Sequence, residues 1–518
     1  MQMSKTSFTT RVALIVALGG FLMGFDASVI SGVNKFVQAE FDLSDLQLGF
    51  SVSSLTIIAA LAMMITGPLS DRFGRRLLLK YCALVFAISA FGSAFASSYY
   101  SFLFFRMLGG IGVGASLILA PMYIAEIAPA KGRGRLVSFN QLNIVLGITI
   151  AFFSNYFIVS LVDSSSSIAT MLHLSSNQWR WMLGIEIIPA IIYFIALFTV
   201  PRSPRWLVSK SRNQEALEVL NQFLPKEQAI EDLANIEKSI SQADAIQKVR
   251  FSELFKPALR TVLAIGILVS VLQQITGINA VFFYAPMIFE QSGIGTNASF
   301  IQAVLVGITN LVFTVIALLL IDKIGRRPLL LFGIGGIVVF MGILTYGFNS
   351  ATYSLESASL TDFPQEIQKN LSIIQNERYT SDVTFKKALF KVLGPEKAKM
   401  NESELLASGI QMNPTLILVG ILGFVACFAV SLGPVMWVLF SELFPMRIRG
   451  IAISFVGFIN SAVSAIVQFV FPWELSTLGS SNTFMIYGIF ALIGFFFVML
   501  SIPETKGRTL EELEQQLG

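Results

Sequence analysis

The chain of 518 residues is 54% hydrophobic and only 13% charged, with a formal net charge of +4 and a mean hydropathy of +0.71. A soluble domain carries about 25% charged residues, so this composition excludes a soluble enzyme, a disordered protein and a secreted disulfide scaffold. The basic residues lie in short clusters between apolar runs, the distribution that orients membrane spans rather than a nucleic-acid groove.

If a span takes ~20 apolar residues, twelve would use about 240 and leave about 278 for loops and ends. The first apolar run, 12–33, holds one charge, Asp26. It is longer than a signal-peptide core and shows no small-residue cleavage site, so it reads as a retained span. Further runs near 48–70, 77–97, 101–122, 137–161 and 180–200 complete a first set of six. A charged stretch, 206–255, follows, and "NQEALEVLNQFL" within it predicts short amphipathic helices. Runs near 258–289, 299–321, 329–348, 414–441, 450–472 and 483–502 complete a second six. The expected fold is an all-α membrane protein with twelve transmembrane helices in two six-helix halves, 1–205 and 256–518, joined by the 206–255 linker.

Charge alternates between the short connections. Arg72, Arg75, Arg76, Lys131, Arg133, Arg135, Lys323, Arg326, Arg327, Arg447 and Arg449 fall on one side; Glu40, Asp42, Asp45, Asp163, Glu290 and Glu474 fall on the other, with Lys35 the basic exception. Excess Lys and Arg marks the cytoplasmic side, which places both termini and the linker inside. The halves also repeat. "GPLSDRFGRR" (67–76) recurs as "LLLIDKIGRR" (318–327), and "EIAPAKGRG" (126–134) recurs as "ELFPMRIRG" (442–450), with seven residues from Glu126 to Arg133 and from Glu442 to Arg449. The second half is about 65 residues longer between its two motifs, which marks 350–412 as an extracytoplasmic insertion between spans nine and ten. Parallel half-repeats with a site at their interface are a transporter plan.

Several residues inside the spans carry chemistry. Asp26 sits mid-span, where a charge costs roughly 2.5–3.5 kcal/mol unless it pairs or lines a cavity. Arg106 in "FFRMLGGIGVG" is its best partner, and Glu186 in "WMLGIEIIPA" is a second buried carboxylate. Such a carboxylate can exchange a proton if it meets Arg106 in one state and water in another; the alternative is a static staple. "GGIGVG" (109–114) lies inside an apolar helical run, where glycines let helices approach, and not in the strand–loop–helix setting of a nucleotide loop. Cys82 and Cys427 lie inside apolar runs and imply no disulfide framework, and the single His173 leaves no multi-histidine metal site.

The second half is richer in amides. "LQQITGINAVFFYAP" (272–286) places Gln273, Gln274 and Asn279 in one span, with Gly277 loosening the helix; Asn310 lies in the next span, and Gln141 and Asn143 lie in the fifth. Amides both donate and accept, which suits a neutral polyhydroxylated ligand, and Trp437 offers an aromatic face for a sugar ring. Interhelical amide glue is the alternative. Asp71, Arg75, Arg76, Glu126 and Arg133, with Asp322, Arg326, Arg327, Glu442 and Arg449, form acid–base clusters at the cytoplasmic helix ends. They set topology and are expected to hold the inner ends of the halves together until the cavity opens inward.

Taken together, the motifs resemble those of the sugar porters of the major facilitator superfamily, and among them bacterial sugar–proton symporters. The resemblance rests on "GFDASVISG" (24–32), "DRFGRR" (71–76), "RMLGGIGVG" (106–114), "PMYIAEIAPAKGRGRLVSFNQ" (121–141), "VPRSPRWL" (200–207), "QQITGINAVFFYAP" (273–286), "GPVMWVLFSELFP" (433–445) and "PETKGRTLEELE" (503–514). It covers nearly everything except 350–412.

The resemblance implies that Asp26, Arg106 and Glu186 couple a proton. It further implies that Gln141, Gln273, Gln274, Asn279, Asn310, Trp437 and Asn460 contact sugar, and that Tyr284 is an aromatic of the outer gate. Two positions depart from the pattern: Arg202 stands where the family motif carries an acid, and Ser461 stands where Trp is common. The insertion has no counterpart in the family pattern and is expected to be a loop, rather than a lid or a docking element.

The expected activity is import of a monosaccharide, hexose or pentose, with a proton, by a monomer in the lipid of a bacterial inner membrane, without cofactor, metal or nucleic acid. A passive facilitator and a sodium-coupled porter are the rival readings. A sugar sensor is disfavoured because too little chain follows the last span for a signalling domain. An enzyme is disfavoured because no catalytic constellation is visible.

Overall fold

The computed structural model describes residues 5–129, 133–164, 166–245, 251–356, 360, 363–394, 397–398, 401–445 and 448–506. Lys131 and Arg447, and the side chains of Arg133 and Arg135, lie outside what is described.

Among the described residues, twelve helices are long and apolar enough to cross a membrane. Spans 1 to 6 are Ser7–Glu40, Asp45–Phe73, Arg75–Ala94, Tyr99–Ile127, Leu136–Asp163 and Leu174–Ala196. Spans 7 to 12 are Arg260–Glu290, Thr296–Ile324, Arg326–Asn349, Pro414–Leu443, Arg449–Thr477 and Ser480–Ser501. Large apolar side chains such as Met64, Phe91, Phe104, Phe332 and Leu500 stand largely exposed on these helices. Water would not tolerate that much apolar surface; a bilayer covers it.

Local sequence explains where the helices turn and break. The repeated Asp–Arg/Lys–x–Gly–Arg–Arg motif turns the chain at Gly74 and Gly325, whose φ values of 88° and 107° place both in the region only glycine enters freely. Span 4 starts at a capping box, with Ser98 and Ser101 each accepting the other's backbone N–H. Span 7 is two helices, Arg260–Ile275 and Ile278–Glu290, separated at Gly277 with φ 87°. Tyr284, two residues before Pro286, is a second non-helical point in it. Span 10 breaks likewise at Ser431, between Pro414–Val430 and Leu432–Leu443.

The compact units cut across the two sequence halves. One comprises 1–28, 54–151 and 180–253; the other comprises 29–53, 152–179 and 254–518. The first is cored by residues including Val16, Phe86, Leu119, Tyr123 and Tyr193. It also carries the linker helices Pro204–Ser209, Asn213–Phe223 and Lys226–Ala245, joined by Leu207, Val208 and Ala216 with Leu233 and Ile236 against them.

In the second unit the ends of spans 1, 2 and 5 join the C-terminal spans. Asn34 Nδ2 donates to the Phe283 carbonyl at 2.8 Å, and Gly49 lies directly against the Phe469 carbonyl.

The insertion is not a loop, contrary to the sequence expectation. Two short strands, Thr352–Tyr353 and Ile410–Gln411, pair antiparallel and bring its ends together. Between them lie helices Gln365–Leu371, Asp382–Leu393 and Glu402–Gly409. Tyr353, Leu355, Phe363, Phe385, Leu389 and Leu405 make a separate core, in which the Tyr353 and Phe385 rings stack at 5.4 Å. Its apolar residues recur at helical spacing, as Phe385, Leu389 and Leu393 do, but are diluted by polar ones, so a hydropathy reading misses them.

Candidate functional site

In the first unit a charge pair is fully buried: Asp26 and Arg106 are each 1% exposed. Arg106 Nη1 donates to Asp26 Oδ1, and its two terminal nitrogens reach the Asp26 carbonyl at 3.3 and 3.2 Å. The pair is not saturated. Asp26 Oδ2, Arg106 Nε and Glu186 Oε1 are buried without a hydrogen-bond partner among the described residues. Glu186, equally buried, is within electrostatic reach of both.

Polar atoms left open in a low-dielectric interior are costly. Gly109 makes the space: a Cβ there would sit 2.7 Å from Asp26 Oδ2 and 2.6 Å from Ser89 Oγ. The other glycines of the run act as the packing reading expects, with Gly110 and Gly114 bringing span 4 against the carbonyls of Leu55 and Ala59 in span 2.

In the second unit the amides gather around the break in span 7. Asn460 Nδ2 donates to Gln273 Oε1 at 2.7 Å and to the Ser270 carbonyl at 3.0 Å. Gln274 Nε2 donates to Gln273 Oε1 and Asn460 Oδ1, and Gln274 Oε1 accepts from Asn279 Nδ2 at 2.9 Å. Gln273 Nε2 donates to the Leu432 carbonyl, just past the break in span 10.

Two members were not anticipated. Ser464 accepts from Asn279 at 2.6 Å and from Gln468 at 2.8 Å, and the Gln468 carbonyl accepts the Tyr284 hydroxyl at 2.9 Å. Asn460, Ser464 and Gln468 recur every fourth residue along span 11, a polar stripe visible in the sequence.

The remaining predicted sugar contacts stand apart from this network. Asn310 is buried in span 8, and among the described residues no hydrogen bond joins it to the cluster. Trp437 is 41% exposed and lies over Gly457, with its ring edge-on to Phe440. Gln141 is half-buried in the first unit.

The charged motifs form the same constellation twice, once in each half. Arg75 meets Asp71 and Glu126, each at 3.0 Å; Arg326 meets Asp322 at 3.1 Å and Glu442 at 2.8 Å. A hydroxyl completes each set: Ser203 donates to Glu126, and Thr505 donates to Glu442 at 2.6 Å. Arg76 donates to the Phe198 carbonyl and Arg327 to the Met499 carbonyl, while Arg449 donates to the Phe444 carbonyl.

The repeat fails at one place. Glu504 accepts from the backbone N–H groups of Arg326 and Arg327, each at 3.1 Å, capping span 9. The matching residue of the first half is Arg202, which reaches Glu215 at 4.0 Å and lies over the Trp206 ring.

Twelve spans in two repeated halves, a buried carboxylate–guanidinium pair and an amide cluster at a broken helix define a multi-pass membrane transporter, not an enzyme. The family described as "Sugar (and other) transporter" matches residues 12–364 and 391–517. The arabinose-proton symporter of Bacillus subtilis (strain 168) is 36% identical over 512 residues, covering 98% of this chain and 95% of that one. The D-xylose-proton symporter of Escherichia coli (strain K12) is 33% identical, covering 98% and 96%. An inward open structure of the xylose transporter XylE from E. coli aligns with a TM-score of 0.74 at 32% identity, covering 98% of this chain and 99% of that chain. The chain belongs to this sugar transporter family and has the major facilitator fold.

Proposed function

We propose that the protein imports a monosaccharide, hexose or pentose, together with a proton, by alternating access. It does so as a monomer in the lipid of a bacterial inner membrane, with its basic helix ends and both termini in the cytoplasm. The observation that carries proton coupling is the buried Asp26–Arg106 pair with one carboxylate oxygen unbonded and Glu186 beside it. A proton on Asp26 cancels the charge that holds the guanidinium, frees Arg106 and lets the first half reorient; loss of the proton restores the pair. Glu186 tunes that exchange as a second buried carboxyl within electrostatic reach of the pair.

The sugar is held chiefly by Gln273, Gln274, Asn279 and Asn460, whose amides are already donors and acceptors to one another and exchange those bonds for hydroxyls at small net cost. Gln141, Asn310 and Trp437 complete the contacts, and Tyr284 gates the outer side beside them. The arabinose and xylose symporters among the relatives support a small aldose as cargo. Ser461, in place of a bulky aromatic, widens the pocket.

The test is purified protein in proteoliposomes with labelled monosaccharides and an inward proton gradient. The expected result is gradient-driven accumulation of one sugar, abolished by an uncoupler. Equilibration without accumulation would make the protein a passive facilitator and the pair a static staple. Accumulation that follows sodium at fixed pH would replace the proton as the coupling ion.

A further inference from the structure

The insertion reaches the end of span 1. Lys35 Nζ uses its three donors on three different elements: Glu290 Oε1 at the end of span 7 at 3.1 Å, Thr296 Oγ1 at the start of span 8 at 2.9 Å, and Ser403 Oγ at 3.1 Å. Ser403 belongs to the insertion helix Glu402–Gly409, and its hydroxyl also donates to Glu290 Oε2 at 2.6 Å. Lys35, Ser403 and Glu290 therefore close a ring in which each contacts the other two. Glu290 is 5% exposed and Lys35 is half-buried, so the ring is partly shielded from water and its hydrogen bonds are charge-assisted. Beside it, Asn34 holds the Phe283 carbonyl. These are two successive bonds from span 1 to the helix that also carries Asn279 and Tyr284.

The insertion is fastened to the C-terminal spans by other means. Asp382 accepts from the Ser480 backbone N–H at 2.9 Å and its hydroxyl at 3.0 Å, capping span 12. Gly293, just past span 7, lies against Ile410. Its hydrogen bond to span 1 at Lys35 is carried by a single hydroxyl, that of Ser403.

We propose that the insertion is the clasp of the outer gate: Ser403 locks Lys35 to Glu290, holds the outer end of span 1 on span 7, and must let go each time the outer side opens. The clasp rests on the alternating-access reading but not on which sugar or ion is carried. Removing the hydroxyl leaves Lys35 and Glu290 with a weaker link, so the outward-open population rises and the outward-closed one falls.

The test is labelling by a membrane-impermeant maleimide of a Ser53→Cys reporter, without sugar. Ser53 is buried on span 2, one helical turn along the face on which Gly49 meets span 11. Ser403→Ala is expected to speed labelling about ten-fold, the effect of one charge-assisted hydrogen bond. Lys35→Met should speed it at least as much, and Ser403→Thr, which keeps the hydroxyl, should leave it at the parent's rate.

Labelling that is unchanged in Ser403→Ala but faster in Lys35→Met would overturn the proposal, because the ion pair alone would then be the clasp. No change in either variant would overturn it as well. A protein that labels as expected yet carries no sugar would remove the substrate assignment and leave the clasp standing.

Discussion

Gly109 gives the sharpest test of the buried pair. Glycine in a helix interior is about 1 kcal/mol less favourable than alanine, so Gly→Ala in span 4 should stabilise if nothing opposes it. A Cβ at 109, however, would stand 2.7 Å from Asp26 Oδ2 and 2.6 Å from Ser89 Oγ. Neither atom can retreat cheaply. Asp26 is held by Arg106, and Ser89 Oγ donates to the Phe105 carbonyl at 2.8 Å.

Overpacking of this kind costs typically about 1–3 kcal/mol, which outweighs the propensity gain. Gly342 in span 9 supplies the control, since a Cβ there meets nothing within 4 Å. Gly342→Ala is expected to raise the unfolding temperature in detergent and Gly109→Ala to lower it, a separation on the order of 2 kcal/mol. Gly109→Ala should also impair gradient-driven accumulation, because Asp26 is displaced from the guanidinium. If the two variants melt together and accumulate equally, the geometry assigned to Asp26 Oδ2 is wrong.

Asp26→Asn should abolish uphill accumulation while sparing sugar exchange; full accumulation by that variant would remove Asp26 from coupling. Gln274→Leu leaves Asn279 and Asn460 each short of a partner, so half-saturation for exchange should rise roughly ten- to a hundred-fold, and an unchanged value would exclude Gln274 from the site. Asp382→Ala uncaps span 12 and should cost about 1–2 kcal/mol, read as faster protease cleavage within 350–412 in vesicles; equal cleavage would show that the insertion is held elsewhere.

Burial by itself would lower the Lys386 ammonium, but Glu402, 2.8 Å away, and Asp382 outweigh it and hold its pKa above the ordinary 10.5. A group whose folded pKa is raised contributes stability below its unfolded value and loses it as pH climbs through the folded one. Lys386→Met should therefore lower the unfolding temperature equally at about pH 6 and about pH 9, and the difference should shrink only above the ordinary lysine range. A difference that fades between those two values would refute this reading.

The span count, the two halves and the repeated motifs were legible in the sequence because they are local. Hydropathy over a window reports burial in lipid whatever the span touches, and Gly74 and Gly325 declare their turns through a backbone requirement that no neighbour supplies. Gly277 marked the break in span 7 for the same reason. The amides of span 7 stood out because polar side chains are rare in an apolar run, and the stripe Asn460, Ser464 and Gln468 could have been read by the same rule.

What only the tertiary structure decided involves partners far apart in the chain. That the Asp26–Arg106 pair leaves one carboxylate oxygen open, that Ser203 and Thr505 complete the two charge clusters, and that Lys35 is held by an insertion some 370 residues away are facts of packing between helices. The insertion escaped because its core is spread thinly over short amphipathic helices, whose apolar faces become a core only when the chain brings them together. Periodicity shows which face of a helix is buried; it does not show against what.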